Sequence, residues 1–155
     1  MTRTIRNLQW AKALPAKPRG IPQSRPRGRK AAGLRYEKAF AKTLPDAIHG
    51  QWFEFEDAKG YGVCQTDLLL HGKNTVLILE NKYTWTPDAY AQLYGLYFPV
   101  VQAAFGKEVL GVQVCKVLVP GLPKRVQVES TLEEAVRAAR EGKDAVLHWI
   151  GVGTV

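Results

Sequence analysis

The 155-residue sequence predicts an α/β fold, and three observations carry that expectation. Apolar residues recur at helical spacing from Ala31 to Leu44 and again after Thr86. Between those stretches lie three strand-length segments, alternating or continuously apolar and separated by turn residues. A further apolar run, Val109 to Val119, follows the second helix, so the order is helix, three strands, helix, strand. With 46% apolar residues the chain has material for one hydrophobic core, and two domains are not expected.

Each element has a local reason. In the first helix Gly33, Glu37, Phe40, Ala41 and Leu44 share one face, and Pro45-Asp46 ends it. Gln51 to Glu56 alternates through Trp52, Phe53, Glu54 and Phe55 and reads as the first strand, with Asp57-Ala58-Lys59-Gly60 as a turn. A second strand is expected from Tyr61 to Leu70, a turn over 71–74, and a third strand from Thr75 to Lys82. Thr86-Pro87-Asp88 has the composition of a helix start, Thr as N-cap and Pro at the first helical position. That helix carries Tyr90, Leu93, Tyr97, Val101 and Ala104 along one stripe, and Pro99 is expected to kink or shorten it. After the Val109–Val119 strand, 120–123 reads as a loop, Thr131–Arg140 as a helix and Ala145–Ile150 as a last strand.

Charge is unevenly spread. Of the 22 Lys and Arg, nine fall in the first 30 residues, which hold no acid, whereas the rest of the chain is nearly neutral. With Pro15, Pro18, Pro22, Pro26, Gly20 and Gly28 this segment reads as a basic arm, residues 1–30, ahead of a domain over 31–155. Ile5, Leu8, Trp10 and Leu14 offer a short anchoring segment within it. A basic arm suits a polyanion, because each phosphate neutralised releases counterions. Arg19, Arg25, Arg27, Arg29 and Lys30 are therefore candidate nucleic-acid contacts, with Trp85 as a stacking group beside them. No stretch reaches the length of a membrane span, and two cysteines, Cys64 and Cys115, make neither a disulfide framework nor a CxxC metal site. The expectation is a cytoplasmic protein.

The chemistry lies in charges placed where strands normally carry aliphatics. Asp67 heads Leu68-Leu69-Leu70, and Glu80-Asn81-Lys82 closes Val76-Leu77-Ile78-Leu79. Glu80 and Lys82, two apart, project from one strand face. If the second and third strands form a hairpin around a Lys73-Asn74 loop, Asp67 falls opposite Glu80 and Gln65 opposite Lys82. Two carboxylates facing each other in an apolar sheet stay ionised only with a cation between them. Oxygen ligands at that spacing suit Mg²⁺ or Mn²⁺. Asp67 and Glu80 are thus candidate metal ligands, the backbone carbonyl of Asn81 a further one, and Lys82 a group to stabilise charge on a phosphate or attacking water. Glu37, a carboxylate on the apolar face of the first helix, is the fourth candidate. It could serve a second metal, or reach Arg35, Lys38 or solvent instead. A salt-bridged network at a sheet edge is the structural alternative for the trio. His71, beside Gly72, reads as a turn residue, and neither His49 nor His148 has a visible partner.

These residues resemble the PD-(D/E)xK nuclease superfamily. The resemblance implies a restriction-endonuclease-like αβββαβ core with a mixed central sheet and flanking helices. It implies divalent metal at Asp67 and Glu80-Asn81-Lys82, with Glu37 as the first-helix glutamate. Thr66 stands where the family usually has Pro. Gln92, followed by Tyr97 at one residue beyond the RecB-like Gln-xxx-Tyr spacing, is a candidate DNA contact. Small junction-resolving members are similar in length and charge, and such resolvases are homodimers. The function expected is a Mg²⁺-dependent DNA nuclease of phage or prokaryotic origin, a structure-selective endonuclease acting on branched or Holliday-junction DNA in recombination, repair or phage replication. The alternatives are a phage exonuclease or restriction-type enzyme, a non-catalytic nucleic-acid binder using the arm, and a phage assembly protein.

Overall fold

The computed structural model describes residues 3–21, 29–42, 44–84, 86–117 and 146–148. In chain order the elements are β1 (Trp10–Leu14), α1 (Arg29–Lys42), β2 (Ile48–His49), β3 (Trp52–Asp57), β4 (Gly60–Gln65), β5 (Leu68–His71) and β6 (Thr75–Thr84). There follow α2 (Asp88–Gln92), a π-helical turn (Leu93–Tyr97), α3 (Phe98–Phe105), β7 (Glu108–Val117) and β8 (Val146–His148). The protein is mixed α/β with two sheets, β1-β3-β4 and β2-β5-β6-β7-β8. The expected helix over 131–140 lies outside the described residues.

A single bent ribbon connects the sheets. β3 and β4 pair antiparallel with Trp52 opposite Gln65, and β2 and β5 keep the same register with His49 opposite Leu68. Between them the Thr66 N–H donates to the Gln51 carbonyl at 3.0 Å and the Gly50 N–H to the Asp67 carbonyl at 2.9 Å. The strand expected from Tyr61 to Leu70 is therefore two strands, which turn from one sheet to the other at Thr66-Asp67. Gly50 supplies the matching bend in the opposite strand, with φ of 70°, a left-handed conformation most residues avoid.

β5 and β6 form the expected hairpin, with Leu68 opposite Leu79 and the Gly72 N–H donating to the Thr75 carbonyl across Lys73-Asn74. The pairing predicted between Gln65 and Lys82 is not made, because the ribbon has already left β6 at that point. β6 runs parallel to β7, and β7 parallel to β8.

Strand alternation divides the core. α1 packs Tyr36, Ala39 and Phe40 against Leu68, Leu77, Leu79, Leu110, Val112 and Val114. The second helical segment packs Leu93, Tyr97, Val100 and Val101 against Leu69, Val76 and Ile78, with Phe53 and Phe55 from the smaller sheet closing that side. Tyr90, expected in this stripe, lies outside it and is exposed. Where β7 passes beneath α3, Gly111 is required: a Cβ there would sit 2.5 Å from the Phe98 ring.

The helix continues through Pro99 by adopting the π turn just before it. Proline has no N–H to give the carbonyl four residues back, at Gly95. That carbonyl instead accepts the Ile5 N–H at 2.7 Å. The segment from Arg3 to Leu14 is thus built into the fold and is no separate arm ahead of the domain. β1 pairs with β3 throughout its length, and Ile5, Leu8, Ala11 and Ala13 pack on the core. The Arg3 guanidinium donates to the buried Asp57 carboxylate at 2.6 Å, and the backbone N–H groups of Arg6 and Lys59 reach the same carboxylate. Of the basic run, Arg19 is exposed, Arg25 and Arg27 lie outside the described residues, and Arg29 and Lys30 begin α1.

Candidate active site

The bend brings the predicted acids together. Asp67 sits in the turn immediately before β5, and Glu80 lies on β6 just beyond its last β5 pairing. The Asn81 N–H donates to Asp67 Oδ2 at 2.7 Å, fixing the carboxylate against β6. The Asp67 and Glu80 carboxyls are close enough for the Asp67 charge to act on Glu80. Lys82 Nζ stands 3.4 Å from Glu80 Oε1, as expected for residues two apart on one strand face.

Electrostatics reflect that crowding. Burial, and then the Glu37 charge, push the Asp67 carboxyl up to about 7, against the opposing Asn81 N–H and Lys82 ammonium. Glu80 is raised well above the usual carboxylate range by burial and then by Asp67, with Lys82 opposing. Tyr97, buried on the second helical segment against Ile78, is raised by burial and then by the charges of Glu80 and Asp67.

Glu37 acts on both carboxylates through its charge and is itself engaged: its Oε1 lies 2.9 Å from His49 Nε2. Sequence reasoning gave His49 no partner and offered Glu37 Arg35, Lys38 or solvent. The pairing depends on the bent ribbon, which sets His49 beside Leu68 and so next to Asp67. Asn81 takes part through its backbone. Its side chain, by strand alternation, points to the α1 face, where both amide atoms are buried without a hydrogen-bond partner.

A second residue was missed. Gln113, buried on β7 directly beside Glu80, accepts the Thr86 N–H at 2.8 Å and donates to the Thr86 carbonyl at 2.9 Å. It holds the loop that leaves the site, and the Thr86 hydroxyl accepts the Asp88 N–H at the helix start. The signal was a lone amide within Val112-Gln113-Val114, but its meaning required the parallel register of β6 and β7. Gln92 lies on α2, its Oε1 buried without a partner. Trp85 lies outside the described residues.

Among the described residues no three of His, Cys, Asp and Glu gather as a metal-binding group. Magnesium does not demand one, since it keeps several waters and takes one or two carboxylates together with substrate oxygens. The donor set offers two adjoining carboxyls, and Glu80 Oε2 is buried with no hydrogen-bond partner. A buried carboxylate oxygen without a donor is costly unless the group takes up a proton or a cation meets it. The residues present therefore fit a hard divalent cation.

The fold and site define a mixed α/β protein with a paired-carboxylate and lysine centre at a sheet junction. No family model matches the chain, and no curated protein does. Among solved structures, protein VC1899 from Vibrio cholerae is similar at 16% identity over 79% of this chain, with a TM-score of 0.38. The chain spans 28% of that protein's length, and a likeness at this level carries no argument about function. Among the described residues no helix is long and apolar enough to cross a membrane.

Proposed function

We propose that this chain is a Mg²⁺- or Mn²⁺-dependent DNA nuclease with a restriction-endonuclease-like core of the PD-(D/E)xK kind. The observation that carries the reading is the pairing of Asp67 with Glu80, with Lys82 3.4 Å from the latter and Glu80 Oε2 left unpartnered in the interior. Between α1 and the second helical segment lie five strands, β2 to β6, divided over two sheets; the proposed core would draw on α1, β5, β6, the second helical segment and β7, with the β3–β4 ribbon folded away from it.

Asp67 and Glu80 would hold the cation, with the Asn81 backbone and Glu37 at its margin. When bound, it supplies Lewis acidity, drawing charge from a phosphodiester oxygen and lowering the pKa of a water. The protein's own residues do the rest. Asp67 is held in place by the Asn81 N–H, so it need not reorganise when substrate arrives. The Lys82 ammonium neutralises charge on the phosphate as it passes through its pentacovalent state. The His49 contact fixes the Glu37 carboxylate near the paired acids, where it can accept a hydrogen bond from a water.

The test is incubation of the purified protein with end-labelled four-way junction, linear duplex and single-stranded DNA in Mg²⁺, Mn²⁺ or EDTA, alongside Lys82→Ala. Products that need the metal and vanish in the variant support the reading, and branched DNA is the preferred substrate we propose. Binding without products in either metal would replace the nuclease with a non-catalytic binder.

A further inference from the structure

One aromatic run is left over by the core and by the carboxylate site. Tyr90, Tyr94 and Phe98 stand four residues apart on the second helical segment, their ring centroids spaced 4.3 and 4.5 Å and their planes tilted by 32° and 44°. Phe98 is anchored over Gly111. Tyr90 and Tyr94 carry the run outward, 52% and 43% exposed. Helix propensity does not account for them, because aromatic side chains lose rotamer freedom in a helix and rank below Leu, Lys or Glu at exposed positions.

Their location is informative. The same helical segment packs Leu93 and Tyr97 against Ile78, two residues before Glu80, and Tyr97 adjoins the paired carboxyls. Its start is tied through Thr86 to Gln113, the neighbour of Glu80 on β7. The tyrosines thus lie between those two anchors, at the end of β6 that carries Glu80 and Lys82. An exposed ring stacked on two others, on the helical segment that packs beside the strand carrying Lys82, matches a ligand with a flat apolar face and an anionic backbone.

We propose that Tyr90, the outer ring of this run, with Tyr94 and Phe98 stacked behind it, is a stacking platform for an unpaired base of a DNA strand whose backbone lies at Glu80 and Lys82. The inference rests on the nuclease reading for the position of the phosphate, and adds that the strand entering the site is single. Bases within a duplex are stacked on each other and offer no free face to a helix surface, whereas an unpaired base does.

The experiment measures fluorescence anisotropy of a labelled oligothymidylate and of a blunt duplex of equal length, in EDTA so that no cleavage intervenes. Tyr90→Ala/Tyr94→Ala should weaken single-strand binding by roughly tenfold, the loss of one stacked base, and leave duplex binding unchanged. Tyr90→Phe/Tyr94→Phe should bind the single strand as the wild type does, since the ring faces persist. If the double alanine variant lowers the thermal midpoint, Tyr90→Ala alone reports at the outer, more exposed ring, with the same sign and nearly the full effect. Unchanged single-strand affinity, or an equal loss on duplex and single strand, would overturn the platform. Failure of the nuclease reading shows separately, as wild-type protein that makes no products in Mg²⁺ while still binding in EDTA.

Discussion

The crowded carboxyls make a quantitative prediction about the metal-free protein. Asp67 has an ordinary value of 3.8 and is pushed up to about 7 in the fold, chiefly by burial. Below 3.8 both folded and unfolded chains hold the proton, and the full stability is present. Between 3.8 and about 7 the unfolded chain releases the proton while the folded one keeps it, so stability falls as pH rises and levels off above about 7. A shift of that size corresponds to a loss of ~4 kcal/mol, a large part of the 5–15 kcal/mol typical of a domain. Glu80, raised in the same direction, steepens the decline. Asp67→Asn removes the titrating group yet keeps an oxygen to accept the Asn81 N–H. Urea unfolding in EDTA at a series of pH values should show the wild type losing stability from pH 4 to 8 and the variant much less, leaving the variant the more stable above neutrality. Magnesium should restore the wild type by ~2.7 kcal/mol at a hundredfold excess over Kd, and leave the variant nearly unaffected. Parallel stability curves for the two proteins across that range would refute the electrostatic reasoning.

Lys82→Ala should lower Mg²⁺-dependent cleavage by about 10²–10³-fold with little change in thermal midpoint, since the ammonium acts on charge developed during the reaction; end-labelled product analysis measures this. Gln113→Ala removes both hydrogen bonds that tie the Thr86 backbone to β7 and should cost about 1–3 kcal/mol in urea unfolding, with a fall in activity as the helix start loosens. His49→Ala should leave stability within about 1 kcal/mol, because its contact with Glu37 is half exposed, but reduce cleavage as Glu37 loses its fixed position. His49→Gln, able to donate to the same carboxylate, should recover part of that loss in the same assay.

The hairpin of β5 and β6 was legible because a two-residue loop and the period of two together fix which residues meet. Leu68 opposite Leu79 is a direct consequence, and Asp67 with Glu80 follows from it. Glu80 and Lys82 were legible by alternation alone. The bend at Thr66-Asp67 was not, since Tyr61 to Leu70 is one strand-like run by pattern and its division between sheets is set by tertiary packing. The Glu37–His49 pair and the Gln113 clamp were hidden for a related reason, as both join segments through registers that no local signal specifies. The N-terminal segment misled by composition. Its prolines and cations mask the short β-forming stretch Trp10–Leu14, and the partner that orders Arg3 is a buried Asp57 far along the chain.

The bend also explains why the charged residues can lie where they do. Continued in register, β4 would have covered Asn81 and Lys82 with Thr66 and Gln65. Instead the ribbon swings into the second sheet, Thr66 donates to Gln51, and the end of β6 loses its neighbour on that side. An uncovered backbone N–H in a half-buried place requires an acceptor, and the Asp67 carboxylate provides it at 2.7 Å. The same parting of strands leaves Lys82 26% exposed while Glu80 stays at 3%, so the cation has a route to solvent and the acid does not. Placing Asp67 at the corner therefore does two things: it closes the hydrogen-bond pattern at the junction, and it sets a second carboxyl against the one that the strand buries.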